Sequence, residues 1–95
     1  MPNAGVIIGT PTAGATPPPG YGFLRVVNGN NPIVAGGTAT VGGSTKNILA
    51  VFALAPSTSY SVSFVAPPNY IAPPPASPVP VSKGLTTTVT VIWGS

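Results

Sequence analysis

Residues 54–64 read Leu-Ala-Pro-Ser-Thr-Ser-Tyr-Ser-Val-Ser-Phe. Tyr60, Val62 and Phe64 alternate with Ser61 and Ser63, which puts three large apolar side chains on one face of a strand and hydroxyls on the other. That is the pattern of a half-buried strand. Just upstream, Leu54 closes a separate apolar run, and Pro56, Ser57, Thr58 and Ser59 form a cluster that breaks pairing. The chain therefore leaves one strand, rounds a corner and enters the next with Tyr60 leading.

Leu54, Pro56, Thr58, Tyr60, Val62 and Phe64 resemble the L-x-P-x-T-x-Y-x-V-x-V pattern at the E–F corner of fibronectin type III domains. The resemblance spans Leu54 to Phe64. It implies a β-sandwich in which the Tyr60 hydroxyl bonds back to the backbone a few residues upstream. A second resemblance is to the immunoglobulin-like repeats of microbial and phage surface proteins. Tyr60, Val62 and Phe64, the Pro68-Asn69-Tyr70 step and the closing Thr-Val run carry it. Both imply one architecture, which hosts many functions.

Working outward, Lys46 to Leu54 is apolar on two faces: Ile48, Ala50, Phe52 and Leu54 on one, Leu49, Val51 and Ala53 on the other. One face belongs in a core, and the second needs a cover from the N-terminal segment or another chain. Periodicity leaves a helix open for Asn47 to Ala55; Val51 and Phe52, between flanking strands, favour β. Further strands are expected at Tyr21 to Val27, Ile33 to Ala35, Thr38 to Val41, Val79 to Ser82 and Leu85 to Trp93. Asn28-Gly29 is a tight-turn signal that Asn30-Asn31-Pro32 lengthens into a loop, Gly36-Gly37 suggests a bulge or bend, and Pro80 marks an edge strand. In the last strand Thr87, Val89, Val91 and Trp93 share a face. Between Phe64 and Val79 lies a stiff proline loop that exposes Tyr70 and Ile71.

Residues 1–20 are set apart from a sandwich at 21–95. Val6-Ile7-Ile8 is a β-prone island between glycines, and Pro17-Pro18-Pro19 is extended polyproline. Three readings are open for this Pro-rich arm: a strand donated to a neighbouring subunit, a disordered tail, or a first strand on its own sheet. The fold expected is thus all-β, an immunoglobulin- or fibronectin-III-like β-sandwich of about seven short strands with an extended N-terminal arm.

Composition bounds the chemistry. The 95 residues are one small domain, in which Pro (14) and Gly (12) are abundant. Asp, Glu, His and Cys are absent, and the only charged side chains are Arg25, Lys46 and Lys83, a net charge of +3. No salt bridge between side chains is possible within the chain. Acid–base catalysis lacks its usual groups, and a Ser or Thr nucleophile would have only Lys46 or Lys83 as base. Lys83 beside Ser82 reads as a solvated turn residue. No carboxylate, imidazole or thiol is present to hold a metal, and no cofactor motif occurs: Gly36-Gly37 and Gly42-Gly43 lack phosphate-loop spacing. Three scattered cations make no nucleic-acid patch. The longest apolar run, Ile48 to Ala55, is too short for a membrane span. Met1 to Thr10 lacks the basic start of an export signal, which points to cytoplasmic synthesis.

A nearly uncharged surface, an extended arm and a two-faced apolar strand imply a non-enzymatic subunit of a large assembly with protein partners. The specific expectation is a decoration or cement protein on a phage capsid, located on the virion. Alternatives are an extracellular filament subunit that donates Val6 to Ile8, and an adhesin module with stacking at Tyr21, Tyr70 and Trp93. Expected assembly contacts are Val6, Ile7, Ile8, Pro17, Pro18, Pro19, Leu49, Val51, Tyr70 and Ile71, with Leu54, Pro56 and Tyr60 as the structural corner.

Overall fold

A computed structural model describes residues 3–95, and among them the chain is all-β, with eight strands and no helix. One sheet, A, contains in spatial order β1 (Gly5–Ile8), β8 (Thr86–Ile92), β2 (Gly22–Asn28) and β5 (Ala50–Leu54). The other, B, contains β4 (Ser44–Asn47), β3 (Thr38–Val41), β6 (Ser57–Val65) and β7 (Ala76–Val81). All neighbours pair antiparallel except β2 and β8, which run parallel. The last strand therefore lies between the first two, as if a hairpin had been opened to admit it.

Alternation along each strand builds the core between the sheets. Leu24 and Val26 of β2, Ala50 and Phe52 of β5, and Thr87, Val89 and Val91 of β8 are buried from one side. Ala39, Val41, Val62, Val79 and Val81 meet them from the other. Each side chain of Val or Leu size removed from water contributes about 1.5–3 kcal/mol. Trp93, directly after β8, is fully buried and meets Phe64 edge-on with ring centroids 6.2 Å apart. Gly37 makes room for it: its φ is +87°, and a Cβ there would overlap the indole. The one buried polar residue of the core, Thr87, donates from Oγ1 to the Pro80 carbonyl at 2.6 Å, tying β8 to β7 of the opposite sheet.

At the corner, the Tyr60 hydroxyl donates to the Ala55 carbonyl at 2.6 Å, the bond back to the backbone expected there. Val62 is buried while Tyr60 and Phe64 pack against the core half-exposed. The expected face of the last strand is also observed, and β7, with Pro78 and Pro80, is an edge strand.

Two expectations are corrected. Ile33 to Ala35 is a loop, because the Asn28 side chain takes the backbone: its Oδ1 accepts from Val34 N at 3.0 Å and Asn30 N at 3.3 Å. After Asn28 the chain runs on as the lengthened loop expected there, with Gly29 N extending the ladder to the Val91 carbonyl at 2.9 Å. Lys46 to Leu54 is not one strand but two, split at Ile48-Leu49, where the chain crosses from sheet B to sheet A. The parity of the pattern survives the break. Ala50 and Phe52 are buried, Ile48 and Leu54 half-buried, and Leu49, Val51 and Ala53 exposed.

The N-terminal segment lies along its own sheet. Gly5 to Ile8 pair with Ile92 to Val89, Gly9 N donates to the Thr88 carbonyl, and Thr12 and Thr86 exchange backbone bonds at 2.8 and 2.9 Å. The register slips by one residue between Gly9 and Thr12, around Pro11. Residues 13–20 then pass round the start of β8 to reach β2, with Pro17 buried and Pro18 and Pro19 exposed. Of the three readings of this segment, the first strand on its own sheet is the one observed in the single chain.

Candidate interaction surfaces

Two sheets of four strands have four outer edges, and three of them carry a feature that disfavours further pairing. β7 has Pro78 and Pro80, which lack the N–H a new neighbour would need. β4, the same length as β1, is polar throughout and carries Lys46. The edge of β5 is occupied by Lys46, whose Nζ donates to the Val51 carbonyl at 2.8 Å and lies 5.2 Å from the Phe52 ring centre. β1 has neither proline nor charge.

Its pairing fixes what it offers. Gly9 continues the register and bonds Thr88, so along β1 the residues bonded to β8 are Gly5, Ile7 and Gly9. The N–H and C=O groups of Val6 and Ile8 therefore point to the free edge. Their side chains share the inner face, Val6 half-buried against the core and Ile8 still 37% exposed, while Ile7 stands on the outer face, 59% exposed.

The outer face of sheet A is uncovered. Reading across the register, Ile7, Thr90 and Val27 form one row, Thr88, Arg25 and Val51 the next, and Thr86, Phe23 and Ala53 the third. Residues 12–15 arch over the last two rows and form, with Phe23, Val51, Thr86, Thr88 and an exposed Arg25, a half-open cavity of about 180 Å³.

Loops 29–37 and 66–75 and the 48–49 step gather at one end of the sandwich. Ile71 and Gly94 exchange backbone bonds at 2.8 Å, Asn30 Nδ2 donates to the Trp93 carbonyl and Asn30 Oδ1 accepts from Trp93 N, so these loops are fastened to the C-terminal end of β8. Two adjoining clefts open there. One is apolar, about 270 Å³, lined by Ile33, Val34, Ile48 and Leu49; the other, about 500 Å³, is lined by Asn31, Pro32, Val34 and Tyr70. Leu49 and Ile33, 71% and 73% exposed, are the barest large side chains described.

The expected contact residues thus fall in separate places. Val6, Ile7 and Ile8 lie on the β1 edge, Val51 on the outer face of sheet A, and Leu49, Tyr70 and Ile71 at the loop end. Trp93 is in the core and offers no surface for stacking, whereas Tyr21 and Tyr70 are exposed. Sequence reasoning missed Ile33, taken for a strand residue, and Arg25. The signal for Arg25 was present: it is the only cation inside the strand Tyr21 to Val27, in a chain without acids.

No helix among the described residues is long and apolar enough to cross a membrane, and no cluster of metal-ligating side chains occurs among them. No protein-family model matches the chain, and no curated protein or solved structure is significantly similar to it.

Proposed function

We propose that this chain is a non-enzymatic structural subunit of a larger assembly, a sandwich of the fibronectin-III or immunoglobulin type that decorates or cements a phage capsid. The observation that carries the reading is the contrast among edges: three carry prolines or a lysine that disfavour further pairing, while β1 has neither and offers free backbone at Val6 and Ile8 beside an exposed Ile7. Single chains that work alone close such edges. The uncovered face of sheet A and the bare Leu49 and Ile33 add apolar area in the same sense. A specific contact needs about 1,600 Å² of buried surface in total, shared between the two partners.

The fold type is supported by neighbours as well as by the corner. β2 beside β5, and β3, β6 and β7 in succession, match the B–E and C–F–G adjacencies of that architecture. β8 is an addition to it.

Light scattering on the full chain, next to Ile8→Pro, tests the reading. Proline at position 8 removes an N–H that faces away from β8, so it closes the free edge and spares the β1–β8 ladder. A decoration protein is a discrete small species that co-sediments with capsids from its source, and Ile8→Pro lowers that co-sedimentation. Open-ended polymers of the pure chain would favour strand donation by β1 and sink the decoration reading. A discrete species that sediments with no particle would sink both.

A further inference from the structure

We propose that the cavity at Arg25 is a binding site for a carboxylate side chain, Asp or Glu, presented by a partner protein that packs on the outer face of sheet A. That the carrier is a protein rests on the assembly reading; the site itself rests on its own chemistry. Arg25 projects from the middle of β2, between Thr88 on β8 and Val51 on β5, with Phe23 two residues along the same face. The chain contains no Asp or Glu, so no side chain of its own can pair with this guanidinium. Lys46, by contrast, is already engaged by the Val51 carbonyl and the Phe52 ring, and Lys83 sits in an exposed turn.

The walls agree with that ligand. Thr86 Oγ1 is buried and has no hydrogen-bond partner among the described residues, an expense a native fold rarely leaves standing. Gly14 passes over it, where a Cβ would come within 3.6 Å of that oxygen. The guanidinium and the Thr88 hydroxyl supply donors for two carboxylate oxygens, and Phe23 and Val51 supply apolar contact for the methylenes behind them. One cation suits a monoanion better than a phosphate. At about 180 Å³ the cavity is below the roughly 300–1,000 Å³ that enclose a drug-sized ligand, and it is on the scale of one side chain.

The test is an NMR titration of the ¹⁵N-labelled full chain with N-acetyl-glutamate N-methylamide, its uncharged glutamine counterpart, and sodium sulfate. The glutamate compound should shift the Ala13, Gly14, Thr86 and Thr88 amides and the Arg25 Nε signal, saturating at least tenfold earlier than the glutamine one. Arg25→Gln and Gly14→Val, the latter filling the cavity with the guanidinium intact, should each abolish the shifts while keeping a dispersed spectrum. Equal shifts from the glutamine compound or from sulfate would overturn the proposal. So would shifts that survive Arg25→Gln, or none at all. Failure of the assembly reading is separate: it is read by light scattering and sedimentation, and glutamate binding at Arg25 stands or falls without it.

Discussion

Replacing Tyr60 by Phe removes one atom from the corner and keeps the ring against the core. The atom lost is the hydroxyl that donates to the Ala55 carbonyl at 2.6 Å. A hydrogen bond of this kind contributes about 0.5–1.5 kcal/mol net. The corner is exposed, so water takes over the freed carbonyl and no buried group is left unpaired, which puts the cost at about 1 kcal/mol. In a domain of this size that corresponds to roughly 4–8 °C in Tm. Urea unfolding followed by fluorescence is a direct assay, because the single tryptophan, Trp93, is fully buried and reports loss of the core. The midpoint should fall with the slope m unchanged. Tyr70→Phe is the control, an exposed ring for which a change within about 0.5 kcal/mol is expected. If the two variants are indistinguishable, the corner bond does not hold the β5–β6 turn and the reasoning from Tyr60 fails.

Deleting residues 3–12 strips β8 of its outer neighbour and uncovers the backbone groups of Thr88, Thr90 and Ile92; gel filtration should show aggregation, and a well-behaved monomer would mean that β1 is dispensable. Gly37→Ala puts a Cβ into the Trp93 ring at a φ of +87° and should cost more than about 1 kcal/mol, read as a shift of the urea midpoint. Thr87→Val leaves the Pro80 carbonyl without its donor and should destabilise by about 1–3 kcal/mol, less whatever the added methyl recovers. Stability should be flat from about pH 4.5 to 7, since the chain has no Asp, Glu or His side chain and folding then changes no proton count in that window; a sloping Tm by calorimetry would contradict this.

What the sequence made legible was local. The corner at Tyr60, the inward face Thr87, Val89, Val91 and Trp93, and the edge at Pro80 each follow from alternation or from one residue's backbone chemistry. What escaped depends on contacts distant along the chain. Nothing in Thr86 to Ile92 says that its neighbours are β1 and β2 rather than β7, because a parallel partner leaves no turn between the strands. The split at Ile48-Leu49 escaped because apolar alternation runs through it unbroken: changing sheets preserves the parity of buried residues. The loop at Ile33 escaped because a side chain, Asn28, outcompeted a ladder for the Val34 N–H. The Arg25 cavity exists only because residues 12–15 return over β2, a consequence of β8 holding β1 away from it.

That last point joins the two features the single chain leaves open. Inserting β8 between β1 and β2 moves the unprotected strand to the rim of sheet A and forces the 9–21 connection to swing round the start of β8, which creates the pocket over Arg25. Free edge and cation therefore lie on the same sheet, two strands apart, at about 4.8 Å per strand. A partner that pairs along β1 and also folds over the outer face of sheet A would meet both the free edge and the cleft at Arg25. On this geometry Ile8→Pro and Arg25→Gln act on one interface: in a binding assay against the assembled partner each single variant should weaken binding of that same partner, and the two losses should roughly add, because the sites lie about 10 Å apart. A variant that leaves the affinity unchanged would mean that its site lies outside that interface.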